Sequence, residues 1–379
     1  MTQLEDFIFM TGKGATPKGP RPFLDRFSVK TLHKERLFRS DPAGYEKFID
    51  WVDIEAGTFL TRKESPRDVP NYLKRTLLEK LKGSVEAGEA HWRSKIEPLT
   101  HFEDPVPQLR EITQRIVTYK RADGTPLSFK LYLPPGYREG EKRPTVLWAY
   151  PLEYSDSETA GQVTKSDQRF LRFWGATYLH YLLDGYVVLG GVGMPVIGDP
   201  DTAYDTFIEQ LVSCAEAAIN KAVDLGVTDR DRIGIIGHSH GGLMVATLLA
   251  HSDLFRAGIA RSGAYNHTLR PFGFQHERRT LYQARDTYTR LSPLFHADKI
   301  NEPLMLIHGA ADPNPGTVPL QSRKLFEAVR GTGGTVRLLM LPHEGHGYRS
   351  REGIEQTLAD QLTWFERYVK NAKQGKKEK

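Results

Sequence analysis

Residues 237–242 read Gly-His-Ser-His-Gly-Gly, so a single serine, Ser239, stands between two histidines in a frame of glycines. The G-x-S-x-G pattern follows a short apolar run, RIGIIG, and opens a helical one, GGLMVATLLAHS. Strand before and helix after is the setting in which this pentapeptide turns sharply and lifts a serine hydroxyl clear of a sheet edge. Gly237 and Gly241 are the small residues that let strand and helix approach each other. The His240 N–H then faces the space where a tetrahedral oxyanion would form, at the positive end of the helix. The chemistry such a serine could do is acyl transfer.

A serine hydroxyl is a poor nucleophile until a base takes its proton, and the base needs a carboxylate to orient it. On a sheet of this kind the order is serine, acid, histidine, each after a later strand. Asp312 in LIHGAADPNPGT and His346 in LMLPHEGHGY meet both conditions. Asp312 also suits a plain turn before Pro313. His343 shares the loop of His346, but glycines on either side of His346 favour it as the exposed, tightly turned base. His238 and His240 read as packing or rim residues. HEGH together with HSH misses the H-E-x-x-H metal pattern by one residue and sits among Pro and Gly, so no metal and no cofactor is expected.

These residues need a sheet whose strands end side by side, and from about residue 105 the chain supplies one. TVLWAY (145–150), YVVLGGV (186–192), RIGIIG (232–237), AGIARS (257–262), PLMLIHG (303–309) and TVRLLMLP (335–342) read as strands covered on both faces. A hairpin, QRIVTYKRADGTPLSFKLYLP, precedes them and turns at Ala122-Asp123-Gly124. Helical periodicity separates the strands, most clearly from Phe207 to Leu225, where Phe207, Leu211, Ala215, Ile219 and Val223 line one face. Thr206 and Glu209 have capping-box spacing. The pattern predicts an α/β fold with a doubly wound, mostly parallel sheet. Before residue 105, PFLDRFSVKT, KERLFRS, EKFIDWVDI, TFLTRKES and PNYLKRTL predict antiparallel hairpins, interrupted by a helix-like charged insertion, LLEKLKGSVEAGEAHWRSKIEP.

The 379 residues carry 52 Lys+Arg against 47 Asp+Glu, a net charge of +5, and the basic residues cluster only in KNAKQGKKEK at the C-terminus. Without a basic stripe or a recognisable module, nucleic-acid binding is not expected. The single cysteine, Cys214, excludes an internal disulfide framework and reads as a buried structural thiol. No apolar stretch approaches the roughly 18 residues of a membrane span. The N-terminus lacks the form of a signal peptide, and the compartment stays unassigned, cytoplasmic by default.

WAYPLEYSDSETAGQV, GHSHGGLMVATLLAHSDLFRAGIARSGAYNHTLRPFGFQ, LIHGAADPNPGTVPLQSRKLFEAVRG and LMLPHEGHGYRSRE together resemble the catalytic domain of the prolyl oligopeptidase family, and within it the glutamyl endopeptidase branch. The resemblance runs across nearly all of 106–370. It implies an α/β-hydrolase fold with Ser239, Asp312 and His346 as the triad, and Tyr150 as a second oxyanion donor beside the His240 N–H. It implies a serine peptidase acting on peptides, with glutamate at P1. Arg261 and Arg270 are candidates on charge grounds for that carboxylate, and structural roles suit them equally. The family places a β-propeller before the hydrolase, and TGKGATPKGPRPFLDRFSVKTLHKERLF resembles its last blade or so. The expected organisation is a partial propeller-like segment at 1–105, the hydrolase at 106–371 and a flexible basic tail at 372–379.

Two motifs depart from the branch. The elbow has His240 and Gly241-Gly242 where Tyr and Gly-Ala are usual, and the acid loop reads Asp-Pro-Asn-Pro where Asp-Asn-Asn-Pro is usual. Neither change removes a triad member; His240 bears on the S1 rim and Pro313 stiffens the loop that aims Asp312. Two other functions stay open: an esterase-type hydrolase with an uncovered site, and an inactive or partner-dependent fragment. An incomplete propeller exposes strand edges that invite self-association or a missing propeller partner.

Overall fold

In the N-terminal region β1 (Thr2–Leu4), β2 (Phe7–Gly12), β3 (Phe23–Ser28) and β4 (Lys34–Arg39) make one four-stranded antiparallel sheet. A second is made by β5 (Tyr45–Asp53), β6 (Thr58–Glu64), β7 (Asn71–Lys80) and β8 (Trp92–Pro98). Each is a meander in chain order, the form of a propeller blade. The stretch expected to be a helical insertion is instead the β7–β8 hairpin. Its charges pair on and across these strands, Lys74 with Glu97 and Arg93 with Glu79, both at 3.1 Å. Pairing with a neighbouring strand overrides local helix propensity here. Phe9, Leu24, Leu37, Phe38 and Phe59 form the core shared by the two sheets. Edge-to-face rings tighten it, Phe9 against Trp51 at 4.9 Å and Phe38 against Phe59 at 6.1 Å.

The computed structural model describes residues 2–4, 6–82, 86 and 88–372, so residues 373–379 of the expected tail lie outside the described residues, as do four residues of the β7–β8 connection. The chain divides into two compact units, 1–116 with 162–172, and 117–161 with 173–379. The division therefore falls past the change of texture at 105, and residues 162–172, expected within the hydrolase, belong with the N-terminal unit. The reason is a set of specific bonds. Gln114 Nε2 donates to the carbonyls of Asp167 and Arg169 (2.8 and 2.6 Å), the Phe170 N–H donates to Glu64 Oε2 (3.1 Å), and the Arg110 guanidinium lies 3.8 Å from the Phe170 ring centroid.

The remaining strands are β9 (Thr113–Lys120), β10 (Pro126–Leu133), β11 (Arg143–Ala149), β12 (Leu152–Tyr154), β13 (Val187–Val192), β14 (Pro195–Ile197), β15 (Thr228–His238), β16 (Ala257–Arg261), β17 (Leu304–Gly309) and β18 (Val336–Leu341). Eight of them make one sheet in the order β18-β17-β16-β15-β11-β13-β10-β9, and β12 pairs with β14 apart from it. Every pair from β13 through β11 and β15 to β18 is parallel, and β10 joins β13 antiparallel. This is the mostly parallel, doubly wound sheet that the apolar runs predict, with β11 flanked by later strands on both sides. Sites in such sheets lie at the carboxyl ends of strands around that reversal of order.

The helices are α1 (Ser157–Ala160), α2 (Phe207–Asp224), α3 (His240–His251), α4 (Arg285–Arg290), α5 (Leu320–Gly331) and α6 (Arg351–Phe365). Phe207, Leu211, Ala215 and Ile219 of α2, Leu243 and Leu248 of α3 and Leu325 of α5 join Ile233 and Ile235 of β15 in the main core. Gly234 points to the opposite face, where Phe365 of α6 packs so closely that a Cβ on Gly234 would lie 2.8 Å from its ring. The capping box does not form. A short 3-10 turn, Ala203–Thr206, runs straight into α2, the Thr206 hydroxyl turns back to the Ala203 carbonyl, and Glu209 pairs with Arg290. Val223 is only partly buried, and Cys214, Ala218 and Ala222 complete the inner face instead. Cys214 is buried and free, with burial pushing its thiol up to about 11. Among the described residues no helix is long and apolar enough to cross a membrane.

Candidate active site

Ser239 links β15 to α3 with φ 59° and ψ −121°, a left-handed backbone that a residue with a Cβ rarely adopts. The strain is held from both sides. The Ser239 N–H donates to the Arg261 carbonyl at 2.8 Å, and the Ser239 carbonyl accepts from the N–H groups of Gly242 and Leu243 at 2.8 and 3.2 Å. A Cβ on Gly237 would lie 2.0 Å from the Gly241 carbonyl oxygen, and one on Gly241 would lie 2.7 Å from that of Ala149. Only glycines at these two positions allow α3 to start so close to the ends of β15 and β11. His240 is the first residue of α3, so its N–H is among those with no acceptor inside the helix. Tyr150, at the end of neighbouring β11, is exposed, and its ring lies 5.9 Å from that of His240.

The turns after β17 and β18 are bonded to each other, with Ala310 N–H donating to the Leu341 carbonyl (2.8 Å) and Ala311 N–H to that of Glu344 (2.9 Å). Gly309 permits the crossing, since a Cβ there would lie 2.2 Å from the Gly345 carbonyl. The crossing brings Asp312 against His346, whose Nδ1–H donates to Asp312 Oδ2 at 2.8 Å. Asp312 is buried, and its Oδ1 accepts from the Asn314 N–H at 2.9 Å. Burial pushes the Asp312 carboxyl up, but bonds from His346 and Asn314 outweigh it and leave its pKa lowered. His343 is exposed at φ 66°, away from this pairing.

The His346 ring lies 4.9 Å from that of His238, the residue before Ser239. Among the described residues the Ser239 side chain makes no hydrogen bond. Burial and the charges of Arg261 and His346 push His238 down to about 3, so it stays neutral near neutral pH. The two histidines of the elbow face different groups. His240 is buried with Nε2 3.5 Å from Glu153 Oε1, and Glu153 Oε2 lies 2.8 Å from Nδ1 of exposed His276. Tyr204 also donates to Glu153. Burial raises the Glu153 carboxyl, but the adjacent His240 ring and the bond from Tyr204 prevail and hold it at about 2.

Arg261 donates to the Ala176 carbonyl through Nη1 (2.7 Å), while its buried Nε has no hydrogen-bond partner among the described residues. The Arg270 guanidinium rests on Gly316, in the loop that carries Asp312, so that a Cβ there would come within 2.5 Å of Nη1. Among the described residues neither arginine pairs with a carboxylate. Burial lowers the pKa of both.

Three supporting residues were not evident from the sequence. Glu153 lies 3.5 Å from His240 Nε2 and receives the Tyr204 hydroxyl. Glu344, buried in the His346 loop, accepts from the N–H groups of Arg349 and Ser350, both at 2.8 Å, and closes the loop around His346. His308 reaches Asp312 from the core. For His308 the signal was present: a titratable residue inside an otherwise apolar strand.

Residues 206–372 match the Prolyl oligopeptidase family. The chain is 41% identical over 367 residues to the "Probable glutamyl endopeptidase, chloroplastic" of Arabidopsis thaliana, and 41% identical over 375 residues to the protein of the same name in Oryza sativa subsp. japonica. Each match covers 96% of this chain, and the chain spans 38% of the length of each relative. Among solved structures, the acylaminoacyl peptidase of Pyrococcus horikoshii has the same fold at a TM-score of 0.65 and 19% identity, over 98% of this chain and 55% of its own. The elbow, the acid turn and the histidine loop all lie inside residues 206–372, the stretch that matches the Prolyl oligopeptidase family.

Proposed function

We propose that the α/β unit hydrolyses peptide bonds by acyl transfer at Ser239, with His346 as base and Asp312 as its orienting acid. The observation that carries this reading is the left-handed Ser239 at the β15–α3 junction, with the Asp312–His346 pair beside it. His346 takes the Ser239 proton as Oγ attacks the carbonyl. The His240 N–H and the Tyr150 hydroxyl receive the oxyanion, and His346 protonates the leaving amine. Water then repeats the steps on the acyl-enzyme. Asp312 keeps the proton of His346 on Nδ1, which leaves Nε2 free to accept.

We further propose cleavage after glutamate. Support comes from the name of the two plant relatives and from two arginines that have no carboxylate partner among the described residues, Arg261 at the end of β16 and Arg270, which packs against Gly316 of the acid loop. A substrate carboxylate supplies the charge-assisted partner that Arg270 lacks.

The test is labelling of the chain with a fluorophosphonate and mapping of the modified peptide, followed by hydrolysis of matched Glu, Gln and ester substrates. Labelling at Ser239 that is lost in Ser239→Ala is the expected result, with Arg270→Met raising KM for Glu substrates but not for Gln. Folded protein that takes no label at Ser239 refutes the acyl-transfer reading. Equal turnover of Glu and Gln substrates refutes the P1 assignment alone, and turnover of esters without amides moves the chain to the esterases.

A further inference from the structure

We infer that His308 is a positioning residue, which fixes the acid loop by donating its Nε2–H jointly to the Thr317 carbonyl and to Asp312 Oδ2. The inference rests on the triad proposed above. His308 is fully buried in β17, a strand whose other side chains are apolar. Its Nδ1 lies 2.6 Å from Ser322 Oγ, near the start of α5. Its Nε2 lies 2.6 Å from the Thr317 carbonyl and 3.2 Å from Asp312 Oδ2.

Neither of those two acceptors carries a proton, so the ring must bring one on Nε2, and the Ser322 hydroxyl then donates to Nδ1. One ring therefore ties the end of β17, both ends of the 312–317 loop and the first turn of α5. Burial pushes the His308 pKa down despite the Thr317 and Asp312 contacts, so the donor is neutral near neutral pH. A neutral donor steadies the carboxylate without adding a full positive charge that would compete with His346 for it. Thr317 Oγ1 adds a further contact, 3.2 Å from the same oxygen and 3.1 Å from His346 Nδ1.

The pH dependence of fluorophosphonate labelling at Ser239 reads the base without a known substrate. Two variants separate the parts of the ring. The amide nitrogen of His308→Gln reaches about as far as Nε2, whereas that of His308→Asn reaches only to the place of Nδ1. The other groups around His346, namely Asp312, Thr317, His238 and Arg261 behind it, are unchanged in both. His308→Asn is expected to label about 10- to 100-fold more slowly, the value of one hydrogen bond to a charged group. Its acid limb should move up by about half a pH unit, because a carboxylate with one donor fewer holds the His346 proton more tightly. His308→Gln should recover most of the rate and the wild-type limb.

Equal losses in both variants with an unmoved limb, or a wild-type rate in His308→Asn, overturn the inference. Should His308→Asn not fold, histidine-ring nitrogen NMR of the wild type against His308→Gln decides it. One ring fixed as the neutral Nε2–H form across the range where ordinary histidines titrate, and absent from the variant, supports it. An Nδ1–H form, or a ring that titrates, overturns it. A wild type that takes no label at Ser239 brings down the triad and this inference together, whereas a labelled wild type with an unshifted His308→Asn brings down the inference alone.

Discussion

Replacing Asp312 by Asn removes one charge and gains one pair of amide hydrogens, and the surroundings of the carboxylate determine what each change costs. Its Oδ2 receives His346 Nδ1–H at 2.8 Å, with His308 Nε2 and Thr317 Oγ1 each at 3.2 Å, and its Oδ1 receives the Asn314 N–H at 2.9 Å. The charge centres of Asp312 and a protonated His346 are about 4 Å apart, worth about 4 kcal/mol at an effective dielectric of about 20, or roughly a thousandfold in rate. The amide adds a second loss. Whichever way it turns, its NH2 faces at least one N–H donor, an unmet pairing worth about 1–3 kcal/mol. The two losses together make about 5–7 kcal/mol, so Asp312→Asn should label with fluorophosphonate about 10⁴- to 10⁵-fold more slowly, the lower end in line with loss of the acid in other such triads. The assay is the second-order labelling rate of Asp312→Asn against wild type, each checked for a native circular dichroism spectrum. A folded variant that keeps more than about a tenth of the wild-type rate refutes the assignment of Asp312 and the electrostatic reasoning with it.

Tyr150→Phe should lower kcat about 100-fold with little change in KM, because a donor to the oxyanion acts in the transition state alone; a change confined to KM would make Tyr150 a binding residue instead. Glu153→Gln tests the cluster that Glu153 makes with Tyr204, His276 and the nearby His240 ring. A carboxyl held at about 2 in the folded protein stabilises it above the ordinary carboxylate range, and that stability is lost as pH falls toward 2. The variant should be about 2 kcal/mol less stable than wild type near neutral pH, after allowance for solvent screening, and the gap should close in acid. Urea midpoints at the two pH values read this directly, and a gap that persists in acid counts against the pairing.

The α/β unit was legible because its strands are covered on both faces and read as unbroken apolar runs. The elbow was legible because its glycines are required by backbone contacts, which are local. Asp312 and His346 follow from strand order, and the crossing of their turns is the part that spacing alone does not give. The β7–β8 hairpin was misread because its charged residues favour a helix locally, whereas strand pairing that no local window contains decides the outcome. The Thr206–Glu209 pair failed as a cap for a similar reason: the 3-10 turn before α2 and the distant Arg290 take both side chains. Glu153 and Glu344 look like ordinary surface acids in the sequence, and only the folded loops turn them inward.

The excursion of residues 162–172 bears on how the protein can be divided. The backbone passes from one unit to the other at 116/117, 161/162 and 172/173, so no single cut separates them. A fragment beginning at Val117 would keep Phe170 without Glu64 and Arg110, and the carbonyls of Asp167 and Arg169 without Gln114. Along the chain the two units alternate rather than follow in series, and exchanging the α/β unit for a relative's requires three matched joints instead of one.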